Sequence, residues 1–152
     1  MGYTHYWTIK SPPKGQAAQV EELYQRTILE CQRVVVAFYK EYGGLSGYTA
    51  HTKPGSYGGL LVNGKGVQGH EEFCFREHYK QNVSDFTFCK TAGKHYDDCV
   101  VACLAVLKYR LKGLIDVSSD GEREDWVKGT EFARKVLRRK VPNPIPSTYY
   151  SK

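Results

Sequence analysis

The chain has 152 residues, a formal net charge of +6, and hydrophobic and charged contents of 41% and 25%. These values are typical of one globular domain and exclude an intrinsically disordered chain. No apolar run approaches the roughly 20 residues of a membrane-spanning helix, and the first residues do not resemble a secretion signal. We therefore expect a cytoplasmic protein without a membrane partner, whose positive charge favours anionic ligands.

The first part of the chain carries strand and helix patterns in turn. Tyr3 to Lys10 alternates with the period of a strand, and residues 16–42 have apolar side chains every three or four positions, which predicts a long amphipathic helix. The segment 45–59 is a long loop rich in glycine, serine and tyrosine. Two further strands are predicted at 60–62 and 70–77, on either side of a glycine-rich turn.

The second part also alternates between strand and helix. Phe86 to Cys89 predicts a strand, 95–112 predicts an amphipathic helix, and 114–117 predicts another strand. A last helix is predicted to end near Arg139. Residues 142–152 contain three prolines and are predicted to form an extended tail after a single domain over residues 1–141.

The predicted order of elements is β-α-β-β-β-α-β-α, which indicates the α+β class. We expect a two-layer sandwich in which two main helices and a C-terminal helix accompany a mixed sheet of about five strands, with a split β-α-β arrangement as one form of it. The predicted core joins helix residues to aromatic residues of that sheet: Val34, Val35, Leu104, Leu107, Phe73, Phe75, Phe86 and Phe88.

The junction between the strand at Phe86 and the next helix is the clearest indication of a ligand site. Lys90, Thr91, Gly93 and Lys94 lie where the strand ends and the helix begins. The N-terminus of a helix offers unpaired N–H groups and a partial positive charge. A basic, glycine-containing turn at this position is therefore suited to an anion such as a phosphate.

Ser119 lies at a second strand-to-helix junction, where its hydroxyl can hydrogen-bond a ligand. Strand ends and helix starts that bind ligands converge at one edge of a sheet, which predicts that several of these residues share one pocket. The predicted pocket contains His5, Trp7, Lys90, Thr91, Tyr96 and Ser119. His70 and Lys94 complete the predicted set of ligand-binding residues.

The sequence predicts no metal ion, no cofactor and no catalytic residue. His70 and Glu71 are adjacent in a predicted strand, so their side chains point to opposite faces. The five histidines and five cysteines lack the spacing of known metal ligands, and we expect the thiols to be reduced. Neither a G-x-S-x-G motif nor a P-loop is present.

Four short segments resemble those of a family of small proteins found in bacteriophages and bacteria. They are Gly2 to Trp7, Gly69 to Phe73, Phe88 to Ala92 with Tyr96-Asp97, and Ser119 to Gly121 with Asp125-Trp126. The resemblance covers nearly the whole chain and implies a phage or bacterial context, although the family has no assigned activity. By analogy with small phage proteins that sequester nucleotide immune signals, it implies an anti-defence role.

The leading hypothesis is non-catalytic binding or sequestration of a nucleotide-like phosphorylated small molecule by a homo-oligomer. Twelve tyrosines and two tryptophans supply rings that can stack on a base, while Lys90 and Lys94 would hold the phosphate.

Two alternatives remain open. One is an enzyme, a phosphoesterase or related hydrolase that acts on a nucleotide-type ligand with His5, His70 or Glu71 as acid or base. The other is a nucleic-acid-binding module that uses the basic run from Arg134 to Lys140.

Overall fold

The computed structural model describes residues 3–147, and within them the chain forms three α-helices and six strands. The helices are α1 (Ala17–Tyr42), α2 (Asp97–Leu111) and α3 (Val127–Leu137). The strands are β1 (Thr4–Ile9), β2 (Leu45–Ser46), β3 (Leu60–Gly64), β4 (Phe73–Phe75), β5 (Ser84–Lys90) and β6 (Ile115–Ser119). None of the helices in the described part of the chain combines the length and apolarity needed to cross a membrane.

The strands form two separate antiparallel sheets. The first has the order β5-β1-β6, and the second has the order β2-β3-β4. Because β1 is antiparallel to both of its neighbours, β5 and β6 run parallel to each other and are joined through α2. The first sheet is therefore a split β-α-β unit, in which an early strand lies between two later ones.

The two faces of β1 differ in burial, as the alternation in its sequence predicts. His5, Trp7 and Ile9 are buried on the inner face, while Tyr6 and Thr8 are partly exposed on the outer face. The inner face also packs against the second sheet, because the Trp7 ring stacks on Phe75 with centroids 5.4 Å apart. This pairing fixes the first sheet against the remaining core.

The centre of the core is α2, which is buried on almost every side. It packs between α1 and α3, and its residues 99–107 are all buried. The predicted burial of Val34, Val35, Leu104 and Leu107 is confirmed, since none of the four side chains is exposed. A helix that is apolar all round needs partners on all sides, and α1, α3 and the first sheet supply them.

Helices α2 and α3 approach each other closely at Gly129. A β-carbon on Gly129 would lie 2.6 Å from the carbonyl oxygen of Asp98 and 2.7 Å from Cγ1 of Val101. Both distances are shorter than a normal van der Waals contact. Because Gly129 has no side chain, α3 can lie this close to the first turn of α2.

The structure confirms the predicted α+β class, but a single mixed sheet of about five strands is not confirmed. The prediction placed Phe73, Phe75, Phe86 and Phe88 in one buried sheet. Phe73 and Phe75 are buried in the second sheet, whereas Phe86 and Phe88 lie in the first sheet and are 61% and 52% exposed. Their predicted burial is wrong because Cys89 points inward from β5, which turns the neighbouring phenylalanines outward.

The described part of the predicted tail packs on the domain. Ile145 is buried, and Arg123 Nη1 donates a hydrogen bond to its carbonyl oxygen at 2.6 Å. Residues 148–152 of the predicted tail lie outside the described residues.

Candidate functional site

Four polar side chains form a hydrogen-bonded group on the inner side of the first sheet, which we call the buried polar cluster. Its members are His5, Thr91, Asp97 and Ser119. They come from β1, the β5–α2 turn, the start of α2 and the end of β6. The split β-α-β topology brings these four places together, because the start of β1 lies between the end of β5 and the end of β6 and pairs with both.

The donors and acceptors of the cluster form a chain from Ser119 through His5 to Asp97. His5 Nε2 lies 2.6 Å from Asp97 Oδ1, and His5 Nδ1 lies 2.8 Å from Ser119 Oγ. A carboxylate only accepts, so a neutral His5 imidazole carries its proton on Nε2 and accepts the Ser119 hydroxyl proton at Nδ1. The Thr91 hydroxyl also donates to Asp97 Oδ1, and the Gly121 N–H donates to Ser119 Oγ at 2.9 Å.

Aromatic side chains enclose the His5 ring. Trp126 and Tyr3 contact it edge to face, with ring centroids 5.1 Å and 5.3 Å away. Burial and the carboxylates of Asp97 and Asp125 raise the pKa of Tyr3, so its hydroxyl stays protonated. The indole N–H of Trp126 is buried and has no hydrogen-bond partner among the described residues. Ser119 is half-buried at the edge of this enclosure.

The turn that leads into α2 uses most of its own N–H groups. The N–H groups of Thr91 and Ala92 donate to the carbonyl oxygen of Tyr3, and that of Lys94 donates to the carbonyl oxygen of Thr91. The first turn of α2 also carries two acidic residues. An anion at this turn would therefore depend on the exposed ammonium groups of Lys90 and Lys94 more than on backbone donors.

The structure brings three of the predicted site residues, His5, Thr91 and Ser119, into the buried polar cluster through Asp97. Tyr96 is buried elsewhere, and its hydroxyl donates to the carbonyl oxygen of Glu71 at 2.6 Å.

The other predicted residues lie apart from the buried polar cluster. Trp7 is buried between Phe73 and Phe75, where it is part of the apolar core. His70 is exposed, and its backbone pairs with the side chain of Asn63. Lys90 is exposed at the end of β5, and Lys94 is exposed in the β5–α2 turn. That the six predicted residues share one ligand pocket stays a prediction.

A second candidate surface lies on the outer face of the first sheet, which we call the aromatic sheet face and define by Tyr6, Phe86, Phe88 and Lys90. Phe86, Phe88 and Lys90 alternate along β5, so their side chains leave the strand on the same side. The ring centroid of Phe86 lies 5.6 Å from that of Tyr6 and 5.8 Å from that of Phe88.

A groove of about 330 Å³ runs beside Phe86 on this face. Its polar lining comes from Tyr6, Thr8, Asp116 and Ser118. The Asp116 carboxylate pairs with Lys10 Nζ at 3.3 Å, which offsets its charge. The volume lies at the lower end of the range for small-molecule sites.

A smaller cavity of about 140 Å³ lies where the three helices meet. His95, Asp98 and Lys128 line it together with aromatic rings. Burial and the neighbouring Asp97 carboxylate raise the pKa of Asp98, against the opposing effect of Lys128. The cavity is below the usual size of a ligand site.

The basic run at the end of α3 is partly neutralised by carboxylates from α1. Arg139 lies 3.2 Å from Glu30, and Lys135 lies 3.7 Å from Glu41. The Lys135 pair is exposed, whereas Glu30 is only 14% exposed; both pairs indicate a helix surface neutralised by α1 more than a nucleic-acid interface.

Among the described residues, no group of three or more His, Cys, Asp or Glu side chains is arranged to hold a metal ion. Searches against protein-family models, curated proteins and solved structures found no significant match for the chain. The resemblance to small phage and bacterial proteins stays a prediction.

Proposed function

We propose that the protein binds a nucleotide-type phosphorylated small molecule on the aromatic sheet face. The observation that carries this proposal is the exposure of Phe86 and Phe88, 61% and 52%, beside Tyr6 on one face of a sheet. Exposed aromatic rings on a sheet are suited to stacking on bases, and each stacked base contributes about 1–3 kcal/mol to binding.

Lys90 supports the phosphorylated nature of the ligand. It follows Phe88 on the same side of β5 and is exposed, so its ammonium group can reach a phosphate attached to a base that stacks on the ring. The groove beside Phe86 offers hydroxyl groups from Thr8 and Ser118 for hydrogen bonds to the base or the ribose.

We propose a small molecule and not a nucleic acid, because the aromatic sheet face has no continuous row of unpaired positive charges for a longer phosphate chain among the described residues. Lys10 is paired with Asp116, and the Tyr6 hydroxyl donates to the Asp120 carboxylate at 3.1 Å. A long polyanion would meet both of these carboxylates. Sequestration of a nucleotide signal by a phage protein is the biological setting that the sequence resemblance suggests for such binding.

The proposal is tested by calorimetric titration of the purified protein with the four ribonucleoside triphosphates and a cyclic dinucleotide. The tightest ligand is then titrated against three variants. Phe88→Ala should weaken binding by about 5- to 150-fold, and Phe88→Leu, which keeps an apolar side chain but removes the ring, should weaken it nearly as much. Tyr57→Ala is the matched control, since Tyr57 is also exposed (59%) but lies on another surface.

Three results would overturn the proposal. The first is the absence of binding to every nucleotide tested. The second is equal affinity of wild type and Phe88→Ala. The third is tighter binding to a single-stranded oligonucleotide with a steep salt dependence, which would indicate a nucleic-acid interface instead.

The predicted homo-oligomer is tested by light scattering with and without nucleotide. Because Phe86 and Phe88 are exposed apolar side chains, a second copy is an alternative occupant of the aromatic sheet face. A dimer that Phe88→Ala converts to monomer would assign the face to subunit contact, against the ligand proposal.

A further inference from the structure

The buried polar cluster contains a chain of groups that the ligand proposal does not use. Ser119, His5 and Asp97 are joined by hydrogen bonds of 2.8 Å and 2.6 Å in the order hydroxyl, imidazole, carboxylate. This is the order in which a nucleophile, a general base and a residue that orients the base are arranged in serine-dependent acyl transfer. It is recognised by geometry and not by sequence motif.

We propose that Ser119 is a nucleophile toward carboxylic esters, with His5 as its general base and Asp97 as the positioning residue. The proposal goes beyond ligand binding at the aromatic sheet face and does not depend on it. His5 is fully buried and its two nitrogens have one partner each, so its ring orientation is fixed. Ser119 is half-buried, at the point where β6 ends.

The surroundings of Ser119 favour a neutral ester over a phosphate ester. The Asp97 carboxylate belongs to the cluster, that of Asp125 acts on the enclosing Tyr3, and Asp120 directly follows Ser119 in the chain, so an anionic substrate would be repelled. A carboxylic ester carries no charge until it is attacked. This is the reason for assigning acyl transfer rather than phosphoryl transfer.

The candidate donor for the developing oxyanion is the Trp126 indole N–H. The Gly121 N–H donates a hydrogen bond to Ser119 Oγ itself, at an N···O distance of 2.9 Å, and so helps to orient the nucleophile. The Trp126 indole N–H belongs to the same enclosure and is without a partner among the described residues, although it is fully buried. A buried donor without an acceptor has a free-energy cost that an anion can remove.

The proposed reaction has two steps. In the first, Ser119 Oγ attacks the ester carbonyl carbon while its proton moves to His5 Nδ1, and the tetrahedral intermediate collapses with departure of the alkoxide, which takes the proton from His5. In the second, a water attacks the acyl-serine carbonyl, gives a proton to His5, and the carboxylic acid leaves as Ser119 Oγ recovers that proton. The net change is ester plus water to acid plus alcohol.

Two probes test the reaction on the full chain. A fluorophosphonate should form a bond between phosphorus and Ser119 Oγ with loss of fluoride, and tandem mass spectrometry should locate the adduct on Ser119. Release of p-nitrophenolate from p-nitrophenyl acetate should follow the same residue. Ser119→Ala should remove both signals, whereas Ser56→Ala is the matched control, because it removes an exposed serine hydroxyl on another surface.

Asp97→Asn tests the positioning role while retaining an acceptor for Thr91 and His5. Saturation kinetics of fluorophosphonate labelling should show a maximal rate lowered by about 100-fold or more, with an unchanged concentration of probe at half-maximal rate. If Asp97 has only a structural role, the substitution should not lower the maximal labelling rate while the probe concentration at half-maximal rate stays unchanged. If Asp97→Asn does not fold, the comparison of Ser119→Ala with Ser56→Ala decides the proposal alone.

The proposal is overturned if no adduct forms on Ser119, if Ser119→Ala keeps the esterase signal, or if heat-denatured protein is labelled at the same rate as folded protein. It is supported if the adduct lies on Ser119, requires the folded chain and still forms in Ser56→Ala.

Discussion

Replacing Gly129 by alanine tests whether the close contact between α2 and α3 contributes to the stability of the fold. The added β-carbon would lie 2.6 Å from the Asp98 carbonyl oxygen, and a normal contact begins near 3.4 Å, so the helices would have to separate locally by about 0.8 Å. Overpacking of this kind costs about 1–3 kcal/mol, whereas alanine gains about 1 kcal/mol over glycine in helix propensity. One of the two contacts is with a backbone atom that cannot rotate away, so we take the upper half of the overpacking range, about 2–3 kcal/mol.

We therefore expect Gly129→Ala to lower the free energy of unfolding by about 1–2 kcal/mol, which corresponds to a fall in Tm of about 2–8 °C for a domain of this size. Urea denaturation followed by circular dichroism measures the loss. The matched control is Gly113→Ala, since a β-carbon there meets nothing within 4 Å, and it should change stability by less than about 0.5 kcal/mol. Equal stability of the two variants would show that α2 and α3 do not constrain each other at Gly129.

Three further predictions concern the core, the ligand surface and a buried carboxyl group. Leu104→Ala should cost about 2–5 kcal/mol of unfolding free energy, since the side chain is fully buried; a loss below 1 kcal/mol in urea titrations would contradict the described packing of α2. Lys90→Ala should weaken nucleotide binding in calorimetry while leaving Tm nearly unchanged, and a parallel loss of stability would mark Lys90 as structural instead. Asp98→Asn should stabilise the protein at pH 7 but not near pH 4. The raised pKa of Asp98 means that the folded state binds a proton more tightly than the unfolded state, so wild-type stability falls as the pH rises from the ordinary value of 3.8 through the raised value. Denaturation curves at both pH values check the sign, which would be refuted by a benefit at pH 4 alone.

Periodicity predicted most of the local structure correctly. The predicted helix at 16–42 differs from α1 by one residue at its start, and the alternation of His5, Trp7 and Ile9 identified the inner face of β1. The pairing of strands was not predictable in the same way. The alternation along β5 shows that its two faces differ, but it does not show which face is covered, so it predicts a core position for Phe86 and Phe88 that the structure does not have.

The candidate site was predictable in part. His5, Thr91 and Ser119 were singled out because they lie near strand ends, and the structure joins them. Asp97 lies in the first turn of a helix, where the helix dipole stabilises an acidic residue, so its position in the sequence does not by itself indicate a site. Its contact with His5 spans 92 residues and leaves no periodic or spacing signal in the sequence.

The central position of β1 has a consequence for how the chain assembles. His5 is made early but meets Ser119, 114 residues later, only when β6 is available. At a synthesis rate of about 5–20 residues per second, roughly 6–23 s pass between His5 and Ser119, so β1 can pair with β5 before β6 is available. Non-local pairing of this kind slows folding, because loop closure must precede the contacts that reward it. Although β1 is the first of the six strands to be made, it has both of its neighbours only after β6, the last of the six, has been made.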